Sequence, residues 1–66
     1  MPLIEVTIVE GRTREQKAEL IARLTDVAEE VVNVPRDAVR VCIREIPLEH
    51  WGVAGKTLDA PRKREP

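Results

Sequence analysis

Apolar and polar positions alternate loosely along the first stretch of the chain, residues 2–9. Ile4, Val6 and Ile8 fall on one side, and Leu3, Glu5, Thr7 and Val9 on the other. β-branched residues dominate, which predicts a strand with apolar side chains on both faces, as in an interior or interfacial strand. "EGRT" interrupts the pattern, with Gly11 as the turn residue. The period then changes. Ala18, Leu20, Ile21, Leu24, Val27, Ala28, Val31 and Val32 recur at helical spacing. Arg14, Lys17, Arg23, Asp26, Glu29 and Glu30 take the remaining positions, the side expected to be solvated. Thr13 followed by Gln16 forms a capping box, in which the hydroxyl accepts an orphan N–H and the amide reaches back to the cap. The spacing predicts one amphipathic helix over about residues 14–32, ended by a left-handed Asn33 and by Pro35.

After a short turn, a second strand is predicted over about 38–46. Val39, Val41 and Ile43 share one face, and Arg40, Cys42 and Arg44 the other. Pro47 ends it. "LEHWGVAGKTL", residues 48–58, holds two glycines around a short apolar core and reads as a small hairpin. The expected organisation is one domain over residues 1–58 and a charged tail over 59–66. Strand, helix, strand is a β-α-β unit, so the two strands should be parallel with a right-handed crossover. The fold class is α+β with a short C-terminal hairpin.

Two parallel strands under one helix leave two sheet edges and a whole sheet face uncovered, which a lone small chain tolerates poorly. A chain of 66 residues has a modest core and needs a staple. Cys42 is the only cysteine, so no intrachain disulfide forms, and His50 stands without partners for a metal site. Oligomerisation is the staple that remains. A formal net charge of −1 supplies no field for nucleic acid or an anionic membrane. No apolar run approaches the ~18 residues of a membrane span, and residues 1–9 lack the features of a signal peptide. With one reduced thiol, a cytoplasmic location is expected.

The opening Met1-Pro2 admits a chemical reading. Proline lacks an N–H and suits the first position of a strand. Methionine removal is also favoured before proline, and it would leave a free secondary amine at the start of the strand. Taken alone, Pro2 is a strand starter, Arg12 a solvated loop residue, Arg40 and Arg44 structural charges, and Trp51 a core or interface aromatic. His50 reads as a surface residue and Cys42 as a small buried hydrophobe. Glu10 and Glu45 are expected to balance neighbouring arginines. Arg62, Lys63 and Arg64 form a basic run too short to indicate an anionic partner.

Taken together, P-L-I-x-V-x-I-x-E-G-R near the start, V-R-V-x-I-x-E in the second strand, and H-W-G-V-A-G resemble the 4-oxalocrotonate tautomerase family over residues 2–58. The resemblance implies a cofactor-independent isomerase acting on small unsaturated 2-hydroxy or 2-oxo acids such as 2-hydroxymuconate, in aromatic catabolism. It implies Pro2 as general base. Arg12 would hold a substrate carboxylate, and Arg40 would reach the substrate's other end from a neighbouring subunit. Trp51 would wall the pocket, where phenylalanine or tyrosine is common. It implies a homo-oligomer, a hexamer built as a trimer of dimers, although some relatives are heterohexamers. No metal or other cofactor is expected. Two rival readings follow from the same scaffold. One is a non-catalytic ligand-binding or interaction module. The other is a haloacrylate dehalogenase, whose relatives carry an arginine near the position of Val9; valine there argues against it.

Overall fold

The computed structural model describes residues 1–60. Strand β1 (Leu3–Val9) leads through the Glu10–Thr13 turn into helix α1 (Arg14–Ala28). A single wide, π-helical turn, Glu29–Asn33, continues the helix. A 3₁₀ turn at Arg36–Ala38 enters β2 (Arg40–Ile46), a second 3₁₀ turn spans Leu48–His50, and β3 (Gly52–Val53) pairs with β4 (Lys56–Thr57). β1 and β2 run parallel in unbroken register from Leu3 opposite Arg40 to Val9 opposite Ile46. The hairpin is antiparallel, with Gly52 opposite Thr57. The α+β class, the parallel β-α-β unit and the hairpin are thus as expected from the sequence.

The boundaries differ at several points. The first strand starts at Leu3, although the Pro2 carbonyl still accepts the Arg40 N–H at 3.0 Å. The capping box is present in full: Thr13 N donates to Gln16 Oε1 and Gln16 N to Thr13 Oγ1, both at 3.0 Å. The regular helix stops at Ala28 rather than near residue 32. It widens before Asn33, whose φ of 64° turns the chain out ahead of Pro35. The second strand begins at Arg40 and not at residue 38, because Arg36–Ala38 form their own turn. That turn is tied to α1 by Arg36, whose Nη1 donates to Asp26 Oδ1 at 2.6 Å and to Glu29 Oε1 at 3.0 Å. The two carboxylates hold the Arg36 pKa above its usual value, the Asp26 hydrogen bond contributing most.

One sheet face packs on α1. Ala28 and Val39 are buried there, while Ile4, Val6, Ile8, Leu20, Leu24, Val41 and Ile43 are half-buried. Among the described residues, no element covers the opposite face. Leu3, Glu5, Thr7, Arg40, Cys42 and Arg44 are therefore exposed. Cys42, expected to be buried, is exposed because it points to the uncovered face. The helix's apolar stripe is wider than two strands can cover: Val27 is 56% exposed and Val31 74%. Ala18 belongs to the same excess. Lys17 departs in the other direction. Helical periodicity assigns it to the solvated side, but it is half-buried and reaches across to Glu45 Oε1 at 2.9 Å. Glu45 accordingly balances a lysine, not an arginine. The tail beyond residue 60, with Arg62, Lys63 and Arg64, lies outside the described residues. No helix among those residues is long and apolar enough to cross a membrane.

Candidate active site

The four candidate residues separate into two groups at opposite ends of the β1–β2 ladder. Pro2 and Arg40 lie at the end where β1 begins. Their backbones are joined by the Arg40 N–H to Pro2 carbonyl bond. Side-chain alternation nevertheless sends the two residues to opposite faces: Pro2 follows Ile4 toward α1, and Arg40 lies on the open face with Leu3. Pro2 is half-buried, and Met1 ahead of it is 83% exposed. The Arg40 guanidinium turns back on its own approach turn. Its Nη1 donates to the Asp37 carbonyl at 2.6 Å and more weakly to that of Val39 at 3.5 Å. No carboxylate among the described residues pairs with it.

Arg12 and Trp51 lie at the other end. The Glu10 N–H donates to the Ile46 carbonyl at 3.0 Å, which ties the loop carrying Arg12 to the end of β2. Gly11 makes that loop possible with φ of 123°, a backbone state costly for residues with a Cβ. Arg12 then precedes the Thr13 cap, so the capped helix holds its backbone in place. It lines an open groove of about 250 Å³ with Ile8, Gln16, Lys17 and Leu20. Trp51 follows the Leu48–His50 turn and is half-buried. Its N–H donates to the Leu48 carbonyl, and its carbonyl accepts the Leu58 N–H at 3.0 Å, closing the hairpin. His50 is exposed, as expected.

Seven residues of strand separate the two groups, roughly 20 Å at about 3.3 Å per residue. One chain therefore does not bring Pro2 within reach of its own Arg12, and it turns Arg40 away from Pro2. Two residues absent from the expected site border the Arg12 groove: Lys17, which lines it, and Glu45, which faces Ile8 across the strand pair. The register is the signal that finds Glu45, since pairing Ile8 with Glu45 on the helix-covered face places it under the first turns of α1. A second shallow depression of about 270 Å³ lies on the open face among Glu5, Thr7, Cys42 and Arg44. Among the described residues no group of His, Cys, Asp and Glu is arranged to hold a metal ion.

Residues 2–60 match the family model for tautomerase enzymes. A probable tautomerase of Ralstonia nicotianae is 52% identical over 63 residues, covering 96% of this chain and 90% of that protein. The 2-hydroxymuconate tautomerase of Comamonas testosteroni is 42% identical over 55 residues, covering 83% of this chain and 87% of that protein. Among solved structures, a heterohexameric 4-oxalocrotonate tautomerase from Chloroflexus aurantiacus superposes with a TM-score of 0.87 at 42% identity, covering 94% of this chain and all of that one.

Proposed function

Because this chain belongs to the tautomerase family, we propose that it interconverts keto and enol forms of small unsaturated 2-hydroxy or 2-oxo acids, with 2-hydroxymuconate as the model substrate. The amino-terminal Pro2, exposed once Met1 is removed, is the general base. The observation that carries this reading is the placement of Pro2 at the head of β1, next to an exposed Met1 and followed by a continuous parallel ladder.

An α-amino group titrates near 7.7–8.0, far below lysine, so it is partly neutral at physiological pH. Guanidinium groups brought close by neighbouring chains would disfavour its protonated form. The neutral nitrogen takes the proton of the substrate's 2-hydroxyl. The O–H electron pair becomes the carbonyl π bond, and the conjugated double bonds shift along the chain. The same nitrogen then returns its proton to carbon, completing an isomerisation with no net change in atoms or electrons. Arg12 grips a carboxylate through its planar fork, and Arg40 takes the far end and stabilises the intervening dienolate. Trp51 walls the cavity.

This arrangement is assembled from several copies of the chain, as a homohexamer built from three dimers. The roughly 20 Å between Pro2 and Arg12 within one chain supports it. So do the opposed faces of Pro2 and Arg40, the uncovered sheet face and the apolar excess at Leu3, Val27 and Val31. Intact mass spectrometry paired with a 2-hydroxymuconate ketonisation assay tests the reading. A mature mass lacking Met1, with turnover that disappears when the Pro2 amine is acylated, is expected. Undiminished turnover after acylation would remove Pro2 from the mechanism.

A further inference from the structure

The Arg12 groove contains more charge than one arginine. Its wall includes Lys17, which comes from the second turn of α1, and Ile8 from β1. Glu45 stands directly across the ladder from Ile8 and captures the Lys17 ammonium at 2.9 Å; the two side chains are 29% and 36% exposed. Gln16, also in the wall, has its amide oxygen engaged by the Thr13 N–H. Arg12 makes no ion pair among the described residues. The groove thus holds one free guanidinium and one neutralised ammonium.

We propose that Glu45, by holding Lys17, sets the charge of the Arg12 groove and with it the groove's affinity for a carboxylate ligand. This rests on the reading of Arg12 as the carboxylate-binding arginine. Were Lys17 free, a second cation would face the ligand's carboxylate. Product carboxylate would then be held as firmly as substrate, a uniform gain in binding that does nothing for the chemical step. With Lys17 held, the groove presents a single bidentate cation, enough to orient one carboxylate. A partly exposed pair contributes little to stability. Its consequence for a ligand a few ångströms away is electrostatic and has a definite sign.

The test measures binding apart from turnover. Adipate, a saturated dicarboxylate, is titrated calorimetrically into the full-length protein and into E45Q, K17M and K17M/E45Q, with adipamide as the uncharged control. E45Q releases the ammonium and should tighten adipate binding by roughly three- to tenfold. K17M leaves a carboxylate bordering the groove and should weaken binding by about the same factor. The double variant should return close to the parent affinity. Both single effects should shrink in 0.5 M salt, at a Debye length of about 4 Å, and adipamide should show neither. A pair serving stability alone would lower the melting temperature in each single variant and shift adipate affinity in the same direction in both. That result would overturn the inference, as would a parent protein that does not bind adipate. If the parent fails to ketonise 2-hydroxymuconate while these opposite shifts in adipate affinity persist, the tautomerase reading falls and the charge-setting role of Glu45 stands. If the parent turns over 2-hydroxymuconate but E45Q leaves adipate affinity unmoved, the tautomerase reading stands and the charge-setting role falls.

Discussion

The two ends of the β1–β2 ladder are built differently. At the Pro2 end, backbone hydrogen bonding joins the strands, and Arg36 ties the entry turn to α1. The Arg40 N–H holds the Pro2 carbonyl, and the Arg36–Ala38 turn supplies the carbonyl that accepts from the Arg40 guanidinium. At the Arg12 end, side chains do more of the positioning. The Thr13–Gln16 box caps α1, and Lys17 bridges to Glu45. The first end leaves Pro2 half-buried on the helix side and an arginine on the bare sheet face; the second forms a groove. On the proposed function each supplies what the other lacks for proton transfer on a dicarboxylate, and about 20 Å of strand keeps them apart in one chain. If copies of the chain share the site as proposed, a small fold builds a site larger than itself by placing complementary halves at opposite ends and letting symmetry join them.

The most severe break is chemical. Acylating the amine of Pro2, or retaining Met1, should lower kcat for 2-hydroxymuconate by about 10²- to 10⁴-fold, the usual contribution of a positioned acid–base group, with the oligomer unchanged on gel filtration. Next come the two arginines. R12A and R40A should each reduce kcat/KM by roughly 10- to 150-fold, the equivalent of losing one charge-assisted hydrogen bond. Refolding the two variants together should restore a fraction of the activity, because mixed assemblies would contain sites with both arginines intact. If co-refolding restores nothing, the halves are not shared between chains.

Smaller effects sharpen the contrast between side-chain and backbone positioning. T13A removes the cap beside Arg12 and should cost about 1 kcal/mol of stability in chemical denaturation. KM should suffer more than kcat, since Arg12, proposed to grip the carboxylate, is the residue displaced. At the hairpin, Ala54 and Gly55 both have positive φ, 54° and 82°. This is the pattern of a tight two-residue turn that favours Asn-Gly over Ala-Gly. A54N should raise stability by about 0.5 kcal/mol and leave turnover untouched. A loss of activity would mean that the turn itself meets substrate or a neighbouring chain.

Much of this is legible in the residues because the signals are local. The change of period from two to 3.6 at Gly11, the Thr13–Gln16 spacing, and Asn33 before Pro35 each specify backbone conformation within a few positions. The structure follows them to within a turn. Pro2, Arg12 and Arg40 are recognisable as candidates from the motifs around them. The departures concern residues whose environment depends on what lies across the sheet. Lys17 occupies a polar helical position that faces a carboxylate, and no helical pattern reveals that partner. Cys42 belongs to an apolar strand whose second face is covered by no element among the described residues.

From the order of its residues alone, this protein has a capped helix between two β-branched strands and a proline behind its first methionine, because propensity, capping and φ restriction act over short range. The tertiary structure decided the register that pairs Ile8 with Glu45 and Leu3 with Arg40. That register decided which side chains share a face and which charges meet. It also decided that Arg40 stands at the Pro2 end of the ladder and Trp51 at the Arg12 end, since strand direction and pairing arise only when distant segments pack together.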